Sequence, residues 1–119
     1  MSLEAVRGLR VRDLSVRWSD QGVEPKWQSA VVLRRVTDFV IDGFAGRQGA
    51  ATTKAPALVL DQTAHGAILN ARGSAGCHRL IHVQGDATRD ITVQDSRVPD
   101  GGSVVTFEND GLRRAVRVS

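Results

Sequence analysis

The stretch Ser29–Phe44, SAVVLRRVTDFVIDGF, decides the fold of this chain. It opens with an apolar run, is interrupted by Arg34 and Arg35, and then returns to apolar residues. Val31 and Leu33 are two positions apart, which is the spacing of side chains on one face of a strand. The stretch is rich in β-branched residues and lacks helix caps, so one amphipathic helix is disfavoured. We interpret it as two short strands joined by a corner at RRVTD.

The same pattern recurs along the chain. Pairs of apolar residues two positions apart stand at Val31/Leu33, Leu58/Leu60, Ile81/Val83 and Val105/Phe107. An apolar residue returns eight positions after the second member of a pair, at Ile41, Ile68 and Ile91, and Leu3 to Val11 fits the same spacing. In the last segment Val116 or Val118 takes this place through a shifted turn. The equivalent residues of successive segments are 30, 27, 23 and 24 positions apart; they are Leu3, Leu33, Leu60, Val83 and Phe107. A repeat of that length indicates a solenoid.

The sequence predicts an all-β fold, a single-stranded right-handed parallel β-helix of about five coils, over residues 1–119 as one domain. A leucine-rich repeat would need a leucine ladder and a fixed asparagine, and neither is present. Pro25, Pro56 and Pro99 all fall in the predicted loops, where no ladder hydrogen bond is required. A β-sandwich is the alternative, since short strands at regular spacing also form one. The constant internal spacing favours the solenoid.

Stacking of the coils predicts two internal ladders of side chains. The first contains Leu33, Leu60, Val83 and Phe107. The second contains Val11, Ile41, Ile68 and Ile91. The far end is expected to be protected by arginines on the last strands, Arg113, Arg114 and Arg117, because charged residues blunt a sheet edge.

The first coil has no cap in front of it, so its open face is expected to expose backbone and core. A chain capped at one end suggests the C-terminal part of a longer protein. It also predicts a homo-oligomer that associates through the open N-terminal coil.

Composition excludes several classes of protein. The net charge is +3 and the pI is about 10.0, yet the arginines are scattered, without a basic run or an aromatic platform. Nucleic-acid binding is therefore disfavoured. No apolar run is long enough to span a membrane, no secretory signal is present, and a single cysteine, Cys77, excludes an internal disulfide. We expect Cys77 to fill a small buried space at a corner.

Three segments carry a resemblance to a known family: VRGLRVRDLSVRW (6–18), SAVVLRRVTDFVIDGFAGR (29–47) and APALVLDQTAHGAIL (55–69). They resemble the C-terminal coils of bacterial polygalacturonase-like enzymes, glycoside hydrolase family 28, within the pectin-lyase-like β-helix superfamily. The resemblance implies a parent protein, secreted or periplasmic, that hydrolyses glycosidic bonds in pectin-like polysaccharides with an inverting pair of carboxylates.

The catalytic motifs of that family are missing from this chain. It has no Asn-Thr-Asp triplet, no adjacent pair of aspartates, no Gly-His-Gly and no Arg-x-Lys; His65-Gly66 follows Ala64 where the first glycine would stand. The resemblance therefore implies a non-catalytic C-terminal β-helix segment of such an enzyme, inactive by itself. The alternative is a stand-alone structural or carbohydrate-binding solenoid without enzymatic activity.

One loop offers a candidate carbohydrate site. Trp18 and Trp27 flank the segment SDQGVEPK, which supplies Asp20 and Lys26 as polar partners for sugar hydroxyls. Two indoles can form a stacking platform, and they can equally cover the open side of the solenoid. Polysaccharide is accordingly the expected partner, and no cofactor is expected.

The remaining chemistry-bearing residues indicate neither a metal site nor a catalytic site. His65, His78, His82 and Cys77 lack the spacing of a ligand set, so no metal is expected. Asp61 and Asp86 are the one carboxylate pair that neighbouring coils would bring near each other. Aspartates at corners more commonly accept backbone N–H groups in turns.

Overall fold

The computed structural model describes residues 1–16, 29–48, 55–99 and 101–119. It is an all-β parallel solenoid with a single short 3-10 helix among these residues. These described ranges contain twelve strands: β1 Ser2–Glu4, β2 Arg7–Arg12, β3 Val31–Arg34, β4 Thr37–Asp42, β5 Ala45–Gly46, β6 Leu58–Asp61, β7 Ala64–Leu69, β8 Arg72–Gly73, β9 Arg79–Gln84, β10 Arg89–Gln94, β11 Ser103–Phe107 and β12 Val116–Val118. The 3-10 helix spans Asp110–Ala115. No helix among the described residues is long and apolar enough to cross a bilayer.

The strands stack into two five-stranded parallel sheets. Sheet A has the order β1-β3-β6-β9-β11, and sheet B has the order β2-β4-β7-β10-β12. A third, two-stranded sheet pairs β5 with β8. All pairings are parallel, which confirms the solenoid and removes the β-sandwich alternative.

The first predicted ladder is confirmed. Sheet A places Leu3, Leu33, Leu60, Val83 and Phe107 in one register, and the central three are at most 1% exposed. The register is the same in successive coils because each strand of sheet A has an apolar side chain at this inward position. Each fully buried side chain of this size stabilises the fold by about 1.5–3 kcal/mol.

The second predicted ladder is wrong at its fourth member. Val11, Ile41 and Ile68 stack as expected, but Ile68 pairs with Val93, whereas Ile91 pairs with Gly66. The cause is a longer turn between β9 and β10, in which Gly85 has a φ of 90° and Thr88 donates its N–H to the carbonyl of Gly85 (3.1 Å). Two extra residues in that turn shift the register of β10 by two.

The C-terminal end also differs from expectation. Arg113 and Arg114 lie in the 3-10 helix rather than on strands, and only Arg117 lies on β12. The helix places Leu112 over the end of the core, where it is 5% exposed. Val118 then takes the ladder position next to Val93. The far end is therefore closed by an apolar side chain as well as by charge.

Three positions repeat from coil to coil in the left-handed backbone region, two of them at corners and one at the second residue of each strand of sheet B from β2 to β10. The first set contains Ala5, Arg35, Gln62 and Gly85. The second contains Gly8, Asp38, His65 and Asp90. The third contains Asp13, Gly43, Asn70 and Asp95. The latter two sets consist largely of Gly, Asn and Asp, which adopt positive φ at the lowest cost.

Candidate functional site

The sites expected on Trp18, Trp27, Asp20 and Lys26 lie in 17–28, outside the described residues. The candidate site therefore consists of other residues. It is the outward-facing side of sheet A, which we call face A. Face A consists of two columns of side chains that run along the solenoid axis. The first column is Ser2, Val32, Val59, His82 and Thr106; the second is Glu4, Arg34, Asp61 and Gln84.

The columns of face A are a consequence of strand alternation. The inward positions of β3, β6 and β9 carry the apolar ladder, so the residues between them must point outward. Parallel strands lie about 4.8 Å apart, and the side chains of each column repeat at that interval. Face A is thus a regular array whose spacing is set by the backbone.

A hydrogen-bonded cluster occupies the C-terminal half of face A. Arg79 Nη2 donates to His82 Nδ1 (2.8 Å) and to Thr106 Oγ1 (3.1 Å), and Thr106 Oγ1 lies 2.8 Å from His82 Nδ1. Because Arg79 can only donate, Nδ1 of His82 must be an acceptor, which leaves the proton of the neutral ring on Nε2. His82 therefore has an N–H donor fixed in orientation by its neighbours.

The pKa of His82 supports the neutral form. Desolvation lowers the pKa from its ordinary value of 6.5, the positive charge of Arg79 lowers it further, and Glu108 acts in the opposite direction. Both of the first two effects disfavour imidazolium. His82 is accordingly a neutral donor near pH 7.

A second polar stack lies beside this cluster. Gln84 Nε2 donates to Asp61 Oδ2 (3.1 Å), and Arg34 Nε lies 3.8 Å from the same oxygen. At the first coil Glu4 forms an ion pair with Arg35. Face A therefore presents alternating acceptors and donors along its second column, held in place across three successive coils.

The aspartate pair considered from the sequence does not form a catalytic arrangement. Asp61 pairs in register with Gln84, while Asp86 is exposed in the turn that follows Gly85. Asp61 is bound to an amide, and no hydrogen bond joins the two carboxyl groups in the part of the chain that the structure describes.

The candidate metal ligands are likewise separated. His65 Nδ1 lies 2.7 Å from Asp90 Oδ2 on the exposed corner of sheet B, whereas His82 belongs to face A. Within the described ranges, no three or more His, Cys, Asp or Glu side chains come together in a way that could hold a metal ion.

Cys77 is buried, as the sequence predicted. It is 2% exposed and occupies the space that a side chain at Gly73, in the two-stranded sheet, would need. Burial raises the pKa of its thiol, and the backbone of Arg79 acts in the opposite direction with a smaller effect. The Sγ also donates a hydrogen bond to the Arg79 carbonyl (3.5 Å). The thiol therefore fills space and is a poor nucleophile.

Sequence reasoning missed face A, although a signal was present. One outward position of the aligned segments, occupied by Arg34, Asp61 and Gln84, is polar in every central coil. Their contacts could not be predicted without the strand register, because these side chains meet only when the strands are stacked. No family model matches this chain, and neither the curated proteins nor the solved structures contain a significant match.

Proposed function

We propose that this chain is a non-catalytic β-helix module that binds an extended polysaccharide along face A. The observation that carries the proposal is the column Arg34–Asp61–Gln84 beside the Arg79–His82–Thr106 cluster. These groups form a regular row of fixed donors and acceptors. A polymer rich in hydroxyl groups that lies parallel to the solenoid axis would meet hydrogen-bond donors and acceptors on successive coils.

Physical chemistry favours such a surface for sugars. Gln84 with Asp61, and Arg79 with His82 and Thr106, already hydrogen bond to one another. Their positions are therefore fixed before a ligand arrives, and less conformational entropy is lost on binding. Val32 and Val59 in the first column add small half-buried apolar patches that suit the C–H faces of sugar rings.

We further propose that this module is the C-terminal segment of a polygalacturonase-like hydrolase. The resemblance of the three quoted segments supports it, and the parallel solenoid is consistent with it. A module of that origin would hold the polymer for a catalytic site elsewhere. By itself it is expected to give no turnover of polygalacturonate above the blank.

A titration followed by NMR tests binding at face A. Short oligogalacturonides and neutral gluco-oligosaccharides are added to the labelled chain, and shifts are expected at β6, β9 and β11 but not at sheet B. Gln84→Ala should weaken binding. Gln94→Ala is the matched control, because Gln94 ends the corresponding strand of the opposite sheet and is exposed. An absence of saturable shifts with every sugar, or an equal loss in both variants, would overturn the proposal.

A further inference from the structure

A polar depression lies on the outward side of sheet B, beside the 3-10 helix. It has a volume of about 290 Å³, and the polar side chains that line it are Asp90, Thr92, Arg114 and Arg117. That volume is near the lower limit of about 300 Å³ for small-molecule sites. The depression therefore suits a small ligand better than a polymer chain.

Strand pairing brings these side chains together. Thr92 of β10 lies in register with Arg117 of β12. Ile91 and Val93, on either side of Thr92, are buried, so Thr92 and the residue paired with it point outward. Arg114 belongs to the helix that leads directly into β12. The depression is thus built by residues of two successive coils and the connection between β11 and β12.

The two arginines of the depression have no counter-charge. Among the described residues, neither Arg114 nor Arg117 forms an ion pair or a side-chain hydrogen bond. Comparable arginines of the chain are paired. Arg113 Nε lies 3.3 Å from a carboxylate of its own helix. Arg10, in the same outward column as Arg117, has its Nη2 3.2 Å from a carboxylate of β4.

Asp90, which also lines the depression, is engaged by a different residue. Its Oδ2 lies 2.7 Å from Nδ1 of His65 in the preceding coil. Its Oδ1 has no hydrogen-bond partner in the part of the chain that the structure describes, so it can accept a hydrogen bond from a ligand hydroxyl. The depression therefore combines two cationic donors and a hydroxyl with one acceptor.

The charge and the donors of the depression match a phosphate monoester. Above its second pKa of about 6, such a group carries nearly two negative charges and three strong acceptor oxygens. Guanidinium groups bind phosphate oxygens through paired, charge-assisted hydrogen bonds. Two arginines balance the two charges, and the Thr92 hydroxyl supplies a further donor. A carboxylate, with a single charge, would leave one arginine unmatched.

We propose that this depression binds the phosphate monoester of a small hydroxylated compound, such as a sugar phosphate. Arg114, Arg117 and Thr92 hold the phosphate group, and a hydroxyl of the organic part donates to Asp90. The site belongs to sheet B, whereas face A belongs to sheet A, so the inference does not depend on polysaccharide binding.

An NMR titration of the labelled chain with glucose-6-phosphate tests this inference. We expect saturable shifts of the amides of Thr92 and of residues 114–117, without shifts in β6 and β9. Glucose and glucuronate should give no saturable shifts there, because neither carries a doubly charged group. Inorganic phosphate should bind several-fold more weakly than glucose-6-phosphate, because it lacks the sugar hydroxyl that Asp90 accepts.

Substitutions locate the site. Arg114→Gln and Arg117→Gln should each weaken binding of glucose-6-phosphate by about tenfold or more, because each removes charge-assisted hydrogen bonds. Arg10→Gln is the matched control, because Arg10 is exposed in the same outward column but is already paired. It should leave the affinity unchanged. A circular dichroism spectrum like that of the parent chain shows that each variant is folded.

Three results would overturn the proposal. An equal loss of affinity in Arg10→Gln would show that the phosphate responds to diffuse surface charge. Inorganic phosphate binding as tightly as glucose-6-phosphate would show that Asp90 accepts no ligand hydroxyl and that the site takes a free ion. An absence of saturable shifts with glucose-6-phosphate would show that the depression is no phosphate site.

Discussion

At the scale of single residues, the ladders work because each side chain is matched in volume to the one in the next coil. Gly66 shows this most clearly. It pairs in register with Phe39, and a Cβ added at Gly66 would overlap the Phe39 ring. The ring of a phenylalanine in the second coil thus fills the space left by a glycine in the third.

Gly66→Ala should destabilise the fold by about 1–3 kcal/mol through overpacking. Phe39→Leu, which shortens the ring side chain, should also be destabilising alone. The double variant should be less destabilised than the sum of the two, because the shorter side chain makes room for the added methyl. Urea denaturation of all four proteins measures this coupling. Gly111→Ala, on the exposed 3-10 helix, is the control, and strict additivity would contradict the packing argument.

Thr63 and Thr88 occupy the same buried corner position in successive coils, where the second coil has Val36. Thr88 Oγ1 accepts from the N–H of Thr63 (3.2 Å) and donates to the carbonyl of Gln84 (2.8 Å). Thr63 Oγ1 is buried without a hydrogen-bond partner among the described residues. Thr63→Val should therefore raise the free energy of unfolding by about 1 kcal/mol, since an unpaired hydroxyl is removed at constant volume.

Thr88→Val is the matched opposite case. It removes an acceptor and a donor that are both in use, so it should lower the free energy of unfolding by about 1–3 kcal/mol. Chemical denaturation of the two variants compares them directly. A loss of stability in Thr63→Val would show that the hydroxyl of Thr63 is satisfied, and a gain of stability in Thr88→Val would contradict the role given to the hydrogen bonds of Thr88.

His82 gives a prediction about pH. Its pKa is lowered in the folded protein, so between the folded pKa and about 6.5 the unfolded chain binds more protons than the native one. The free energy of unfolding should therefore fall as the pH drops below about 6.5. His82→Gln keeps an acceptor for Arg79 and should lose that part of the pH dependence. Denaturation at pH 7.5 and pH 5.5 tests it, and identical pH dependence in the two proteins would contradict it.

At the scale of elements, corners and caps decide where each strand begins. The turn at Gly85 adds two residues between β9 and β10, and the register of β10 follows from it. In the last coil the 3-10 helix takes the place of a short turn between β11 and β12, and it places Leu112 over the end of the core. Sheet geometry is constant from coil to coil, whereas the connections vary.

Leu112→Ala should destabilise the protein by about 2–4 kcal/mol, because it opens a cavity beneath the 3-10 helix and exposes the last ladder residues. The effect should be visible as a lower urea midpoint and as faster amide exchange in β11 and β12. Arg114→Ala on the same helix is exposed and should change the midpoint little. An effect of Leu112→Ala no larger than that of the control would mean that the helix does not cap the core.

At the scale of the whole molecule, stability depends on neighbours. Among the described residues, the strands of each central coil pair with a coil on both sides, whereas those of the first coil pair with one. The energy of opening should therefore vary along the axis instead of being uniform.

Native-state hydrogen exchange should show this gradient. Amides of β1 and β2 should exchange fastest, and those of β7, the middle strand of sheet B, should exchange slowest. Uniform protection of all strands in the free protein would contradict the idea that the stability of a coil depends on how many neighbouring coils it contacts.

The sequence by itself determined the solenoid, since the period-two apolar pairs and their recurrence every 23 to 30 residues require stacked strands with one buried face. It also contained the Gly, Asn and Asp residues that occupy two of the three repeated left-handed positions. Only the tertiary structure decided the register of β10, the 3-10 cap and the contacts of face A. Residues such as Gln84 and Asp61 are 23 positions apart, and nothing local to either one brings them together. Their contact depends on turn lengths summed over a whole coil, and a two-residue change in one turn moves every side chain that follows it.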